Sequence, residues 1–270
     1  MAETTAPGAF PTGEYRARLA ALQERMRADE IDALLLTTAP DIFYVTGFLT
    51  RFWESPTRPW FVVVPAAGAA VAVIPSIGEA LMRRTWIEDI RTWDAPQPED
   101  DGIGLLVEAL REVVPPSGRI GLPMGPETQL RMPLADFARL REGLAGAAFV
   151  DATETLRRVR EVKSEAEIAR LRAACAVADR AFARMGEIAR PGRPIEAVFR
   201  DFQRALLEEG ADWVAYTAGG AGPDGYADVI SPAGPERLAP GDVLMLDTGA
   251  VRAGYFCDFD RNFAIGRASE

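Results

Sequence analysis

The sequence contains no histidine among its 270 residues. Histidine is the side chain that most often binds metals and acts as a general base near neutral pH. Its absence excludes Ser-His-Asp and Cys-His catalytic machinery built within this chain. Any chemistry that the chain performs must therefore depend on carboxylates, arginine, tyrosine or residues outside it.

Cysteine and long apolar runs are also scarce. The two cysteines, Cys175 and Cys257, lie in different segments, which indicates no disulfide framework and makes a reducing cytoplasm the expected location. No apolar run approaches the roughly 20 residues that a spanning helix needs, so we expect no membrane partner. Residues 1–13 lack a hydrophobic signal core, and we interpret them as a flexible tail.

Basic residues are fewer than acidic ones, with 30 Lys and Arg against 40 Asp and Glu and a formal net charge of -10. Such a surface repels phosphate backbones, so nucleic acid is not an expected partner. The hydrophobic fraction of 48% is typical of a globular protein, and the length suits two domains.

Hydrophobic periodicity predicts an α/β domain over residues 14–157. Glu14–Asp29 has the spacing of an amphipathic helix, and Ala33–Thr37 is an apolar run of strand length. Phe61–Pro65 and Ala70–Pro75 predict a β-hairpin. Strands and helices alternate in this way through most of the domain, which favours a layered α/β fold.

The pattern changes in residues 158–270, which we predict to form a second domain. Ser164 followed by Glu167 predicts a capping box at the start of a long helix. A second amphipathic helix is predicted for Ile195–Glu209, and Gly219–Gly225 is predicted as a loop. Two apolar runs at the end of the chain predict a final hairpin.

This final hairpin contains aspartates at alternating positions. Asp258 and Asp260 share one face of the second strand, and Asp247 lies in the first. With the turn centred on Arg252-Ala253, Asp247 falls opposite Asp258. Opposed residues in antiparallel strands have Cβ atoms about 4.5–5.5 Å apart.

Two carboxylates this close together repel each other and lose solvation unless a positive charge compensates them. A divalent cation would do so, because hard cations bind carboxylate oxygens. The register therefore predicts a metal-binding hairpin with Asp247 and Asp258 as ligands. The alternative is that Asp247 only ends a strand, while Asp258 pairs with Arg261 or Arg252.

Three segments resemble the pita-bread metallohydrolases, which include Xaa-Pro aminopeptidases, prolidases, creatinases and methionine aminopeptidases. Gly241–Ala250 with Gly254–Arg261 resembles the signature hairpin of that family. Ile31–Leu36 with Tyr44–Phe48 resembles the start of the creatinase-type N-terminal domain, and Arg157–Ile168 resembles the entry to the catalytic domain. The resemblance implies an α/β fold: a creatinase-type N-terminal domain followed by the first half of a pita-bread (α+β) catalytic domain.

The resemblance assigns roles to the hairpin residues. It implies that Asp247 and Asp258 bind two divalent metal ions of Mn, Co, Zn or Fe. Arg261 matches a structural arginine, and Asp260 replaces the usual threonine, where it would be an additional acid near the metal or pair with Arg261. The family's remaining ligands, one His and two Glu, would lie after Glu270, so the resemblance implies an incomplete chain that is inactive alone.

The implied function is that of a metal-dependent hydrolase of the Xaa-Pro aminopeptidase or prolidase type, a cytoplasmic homodimer acting on a dipeptide or another small molecule. Many relatives have a substrate-side histidine before the hairpin, whereas residues 222–228 contain none. Two alternatives follow. One is a non-peptidase member of the fold, such as a creatinase-like or ectoine-hydrolase-like enzyme or an osmolyte lyase. The other is a truncated pseudoenzyme or dimerisation module.

One further segment, Arg51–Trp60, is rich in aromatic residues and arginine. Loops of this composition often carry function. The resemblance implies that this domain can reach a partner subunit's active site, so Arg51, Trp53 and Arg58 are candidate contacts to substrate or to a second subunit. The alternative is a packed surface loop.

Overall fold

The computed structural model describes residues 5–6, 8–55, 58–223 and 225–267. It divides into two compact units, Met1–Val162 and Lys163–Glu270. The boundary predicted at residues 157 and 158 falls inside a helix, Thr153–Glu161, which belongs to the first unit. Within the described ranges, no helix is both long and apolar enough to cross a membrane.

The first unit contains a six-stranded sheet in the order β4-β3-β2-β1-β5-β6. Only β2 runs antiparallel to its neighbours, and the predicted hairpin is formed by β2 and β3. Three strands, β1 to β3, are buried along their whole length because both faces of the sheet are covered. The strands are β1 Ala33–Leu36, β2 Phe61–Pro65, β3 Val71–Pro75, β4 Asp89–Trp93, β5 Arg119–Leu122 and β6 Ala148–Asp151.

Helices cover both faces of this sheet. Leu34 and Leu36 of β1 pack into one apolar cluster, and Leu35 packs into the other, because successive strand residues point to opposite faces. The first cluster includes residues of α1, α2, α3 and α6, and the second includes residues of α4 and α5. The helices are α1 Thr12–Ala28, α2 Ala39–Thr46, α3 Glu79–Met82, α4 Ile103–Val113, α5 Leu134–Gly143 and α6 Thr153–Glu161.

The segment predicted as a flexible tail, residues 1–13, is packed in part: Ala6 and Phe10 are buried, whereas Thr5 and Pro11 are exposed. Phe10 is only 3% exposed, and its N–H donates to the hydroxyl of Tyr15 at 3.0 Å. Helix α1 already begins at Thr12. An aromatic side chain close to the domain gains more from burial than from solvent contact, which explains the packing of Phe10. Residues 1–4 and 7 lie outside the described residues.

The second unit contains a three-stranded antiparallel sheet in the order β7-β8-β9. Its first helix, α7, begins at the predicted capping box. Ser164 Oγ accepts a hydrogen bond from the Glu167 N–H at 3.2 Å, and the Glu167 carboxylate accepts one from the Ser164 N–H at 3.0 Å. The elements are α7 Glu165–Ala183, α8 Met185–Ile188, α9 Ile195–Glu208, β7 Trp213–Gly222, β8 Val243–Arg252 and β9 Tyr255–Ala264.

The two faces of this sheet differ in character. Leu244 and Leu246 of β8 and Cys257 of β9 are buried with apolar residues of α7 and α9. The alternating positions form the other face, which contains Asp258 and Asp260, both exposed. We call this second face the acidic face; it is formed by Tyr216, Asp247, Gly249, Phe256, Asp258 and Asp260.

Strand β7 corrects the sequence prediction, which placed a loop at Gly219–Gly225. The strand continues to Gly222 because its glycines allow close contacts. Gly219 has a φ of +149°, and a Cβ atom there would overlap the carbonyl oxygen of Met245 on β8. A Cβ atom at Gly220 would overlap the carbonyl oxygen of Asp228. Glycine marks such close backbone approaches within strands.

Candidate metal-binding site

The hairpin between β8 and β9 turns at Ala253 and Gly254, and Arg252 pairs with Tyr255. Both central residues have positive φ, 51° for Ala253 and 80° for Gly254. A two-residue type I′ turn requires this geometry. The turn therefore lies one residue later than the sequence predicted.

The predicted pairing of Asp247 with Asp258 is consequently wrong. Asp247 pairs with Asp260, and Asp258 pairs with Gly249. The pairing differs from the prediction by two residues, and a shift of two leaves every side chain on its original face. Asp247 and Asp258 thus remain on the acidic face, as diagonal neighbours on adjacent strands.

Tyr216 on β7 brings these two carboxylates together. Its hydroxyl oxygen lies 2.9 Å from Asp247 Oδ1 and 2.7 Å from Asp258 Oδ1. The two carboxylate oxygens can be no farther apart than the sum of these distances. Sequence reasoning missed Tyr216, because the strand that carries it was not recognised.

The position of Tyr216 follows from local features of the sheet. The pairing of β7 with β8 shifts between Val214 and Tyr216, and such a bulge turns the next side chain toward a new direction. Thr248 Oγ1 donates to the Tyr216 carbonyl oxygen at 3.0 Å. Tyr216 then pairs with Gly249, which in turn pairs with Asp258. The phenol reaches Asp258 across the position where Gly249 has no side chain.

The electrostatics of this group are unbalanced. Partial desolvation of the phenol, together with the hydrogen bonds to Asp258 and Asp247, raises the pKa of Tyr216 well above its usual range, so the hydroxyl keeps its proton. A phenol has only one proton and donates to one carboxylate at a time. In the part of the chain that the structure describes, neither aspartate forms an ion pair. The pair is therefore short of positive charge.

The alternative pairing of Asp258 with Arg261 or Arg252 is not found among the described residues. The guanidinium of Arg261 lies over the ring of Phe182 at 5.8 Å and is 4.0 Å from Asp179 Oδ1, both on α7. This position agrees with a structural role. Asp260 and Arg261 point to opposite faces of β9, so their side chains do not pair.

The donor chemistry of the pair fits a divalent cation, since carboxylate oxygens are the ligands that hard cations prefer. The number of ligands does not make a complete site. Across residues 5–6, 8–55, 58–223 and 225–267, no group of three or more His, Cys, Asp or Glu is placed to hold a metal ion. Catalytic zinc sites usually have three protein ligands. Asp247 and Asp258 thus fit part of a metal site.

The aromatic loop in the first unit is packed in part. Trp53 lies 5.8 Å from the ring of Trp60, and the guanidinium of Arg131 stacks at 5.3 Å on Trp53. Arg131 also donates to the carbonyl oxygen of Arg58 at 3.2 Å. Arg51 is exposed. The contacts of Trp53 agree with a packed surface loop. A contact of Arg51, Trp53 and Arg58 to substrate or to a second subunit stays a prediction.

Two families of known proteins match the two units. Residues 18–162 match the Creatinase/Prolidase N-terminal domain, and residues 169–270 match Metallopeptidase family M24. The chain therefore belongs to the creatinase/prolidase family of metallopeptidases, and its mixed α/β architecture is the one that the sequence resemblance implied.

Relatives in this family include several peptidases. The chain is 33% identical over 257 residues to a probable dipeptidase PepE of Mycobacterium tuberculosis, and the match covers 94% of this chain. It is 24% identical to an Xaa-Pro dipeptidase of Pyrococcus horikoshii. The chain spans 64% of the length of both relatives.

Solved structures share the fold. Dipeptidase PepE from Mycobacterium ulcerans superimposes with a TM-score of 0.76 at 28% identity, covering 96% of this chain and 67% of that one. A prolidase from Thermococcus sibiricus superimposes with a TM-score of 0.79 at 19% identity, covering 94% and 66%.

Proposed function

We propose that the whole protein is a metal-dependent dipeptidase of the Xaa-Pro type, in which Asp247 and Asp258 bind divalent cations. The observation that carries this proposal is the pair of carboxylates that share the Tyr216 hydroxyl without a counter-charge. The kinship with proteins named dipeptidase and Xaa-Pro dipeptidase supports the choice of reaction.

The residues of this chain would hold and orient the reactive groups. Asp247 and Asp258 would each give carboxylate oxygen to a cation, and Tyr216 would keep the two side chains close together. Two bound ions of Mn, Co, Zn or Fe would polarise the scissile carbonyl and activate water. Two carboxylates are too few ligands for this, so further ligands must come from outside the described residues. A cytoplasmic homodimer stays a prediction from the resemblance.

One observation favours a different reaction on the same fold. The segment that folds back against Gly220, on β7, contains Tyr226 but no histidine. A site without a histidine in this segment suits a non-peptidase hydrolase or lyase that acts on a small osmolyte. Asp224 in this segment lies outside the described residues.

The test compares this chain with the open reading frame extended past residue 270. Metal content is measured after loading with each of Mn, Co, Zn and Fe, and hydrolysis is measured on Xaa-Pro dipeptides, dipeptides without proline, and small amidines. We expect the extended protein to bind about two ions and to prefer Xaa-Pro dipeptides. Metal-loaded protein that leaves these dipeptides intact and cleaves an amidine would favour the alternative.

Matched variants separate the site from the reaction. Asp247→Asn and Asp258→Asn should each lose metal, whereas Asp179→Asn, an exposed acid on α7 away from the acidic face, should keep it. Full metal content in both of the first two variants would refute the assignment of the ligands.

A further inference from the structure

We propose that Tyr216 is a positioning residue whose hydroxyl holds Asp247 and Asp258 in a preformed clamp for a divalent cation. Both hydrogen bonds involve the Oδ1 atoms. Within the described residues, the Oδ2 atom of each carboxylate accepts no hydrogen bond. The clamp therefore leaves one oxygen of each carboxylate available to a cation. This inference rests on the proposed divalent-cation site.

The free energy of cation binding depends on this arrangement. Two carboxylates on adjacent strands repel each other, and an exposed aspartate such as Asp258 otherwise samples several rotamers. A cation that meets them separately must order both side chains against that repulsion. Tyr216 offsets part of this cost in advance, because its hydroxyl lies within hydrogen-bond distance of both Oδ1 atoms and can donate its one proton to either of them. Loss of a hydrogen-bond partner that orients a metal ligand typically weakens metal binding about 10–100-fold.

Packing of the ring does not account for a tyrosine at position 216, because the residue is 36% exposed. What distinguishes it is where the hydroxyl lies. The bulge after Val214 and the absence of a side chain at Gly249 both serve to place the hydroxyl near the two acids. A phenylalanine would fill the same space without the hydroxyl, so Tyr216→Phe isolates the contact.

The experiment measures Mn²⁺ binding by calorimetry in the extended protein and in this chain. Tyr216→Phe should raise the dissociation constant for Mn²⁺ about 10–100-fold. Tyr226→Phe is the matched control, because Tyr226 is 40% exposed and forms no hydrogen bond to an acid among the described residues. It should change the constant less than twofold. Circular dichroism spectra must coincide, so that a general loss of structure does not cause the difference.

A second measurement works without metal. Urea midpoints in EDTA are determined for Tyr216→Phe, Asp258→Asn and the double variant. If the hydroxyl holds the carboxylate, removing the hydroxyl shifts the midpoint less when Asp258 is already replaced. Additive shifts would overturn the clamp.

The outcomes separate this inference from the proposed function. Unchanged Mn²⁺ affinity in Tyr216→Phe overturns the clamp and leaves the dipeptidase proposal intact. Weaker Mn²⁺ binding in Tyr216→Phe, with no dipeptide cleaved by the extended wild-type protein, supports the clamp and overturns the peptidase. Wild-type protein that binds no Mn²⁺ in either form overturns the cation site and the clamp with it.

Discussion

Tyr216, Gly249 and Asp258 are cross-strand neighbours on β7, β8 and β9. Replacing Gly249 with alanine tests whether the central residue of the three must lack a side chain. A Cβ atom at Gly249 would lie 2.7 Å from Cε1 of Tyr216 and nearer still to the ring of Phe256, closer than real contacts allow. Gly249 does not have a positive φ, so backbone strain adds nothing to the cost. The whole effect comes from the two rings.

The magnitude follows from how easily those rings can move. Inserting a methyl group into a packed site typically costs about 1–3 kcal/mol. Phe256 is 42% exposed and can swing into solvent, which places the expected loss in the free energy of unfolding at about 1–2 kcal/mol. Tyr216 has less freedom, since its hydroxyl lies within hydrogen-bond distance of both acids. The same substitution should therefore also weaken Mn²⁺ binding.

The assay is urea denaturation, with hydrogen exchange of peptides from residues 243–264 to locate the effect. Gly186→Ala in α8 is the control, because a Cβ atom there meets nothing within 4 Å. That change should be neutral or stabilise the helix by up to about 1 kcal/mol. Adding Phe256→Ala to Gly249→Ala should recover part of the loss. A wild-type midpoint for Gly249→Ala, or no recovery in the double variant, would refute the packing.

Three further predictions concern a helix cap, an aspartate and the two cysteines, all outside the acidic face. Ser164→Ala removes the capping box and should lower the free energy of unfolding by about 1 kcal/mol in urea; an unchanged midpoint would contradict the cap. The Thr153 hydroxyl is the main cause that lowers the pKa of Asp151 below its ordinary value of 3.8. The stabilisation that this hydrogen bond gives the folded state is complete above pH 3.8 and is lost as pH falls through the lower folded pKa. The difference in free energy of unfolding between the wild type and Asp151→Asn should therefore shrink in urea melts at acid pH. A constant difference between the two proteins at all pH values would refute this. Burial raises the pKa of Cys257, and a disulfide reagent at pH 8 should label the half-buried Cys175 first; equal rates would contradict the burial.

The sequence predicted the regular parts of the fold well, because their signals are local. The apolar run Ala33–Thr37 and the hairpin Phe61–Pro65 with Ala70–Pro75 correspond to β1, β2 and β3. The capping box at Ser164 forms as expected. Each of these features depends on residues within a few positions of one another.

Strand β7 was missed because its glycines are unfavourable in a strand by propensity alone. The reason for them lies elsewhere in the chain, at the carbonyl oxygens of Met245 and Asp228 that approach Gly219 and Gly220. Tyr216 was lost from the predicted site together with the strand. The sequence contains no local signal for such long-range contacts.

The pairing register of the last hairpin was predicted wrongly for a related reason. Type I′ turns favour Asn-Gly or Asp-Gly, and an alanine with positive φ is uncommon. Here two distant groups hold Ala253: its N–H donates to Asp212 Oδ2 at 2.5 Å, and its carbonyl accepts from Arg170 at 3.3 Å. Asp247 and Asp258 still lie on the same face of the sheet, as predicted, although their pairing was wrong. The error in the pairing was two residues, and an even shift leaves each side chain on its face.

The acidic residues of β9 have a second consequence, for the solubility of the protein. In the described sheet β9 is an edge strand ten residues long, and such edges pair readily with the edges of other copies. Asp258 and Asp260 place two negative charges along it, so two copies that approach edge to edge repel each other. Variants that neutralise Asp258 or Asp260 would thus remove a barrier to self-association as well as a carboxylate.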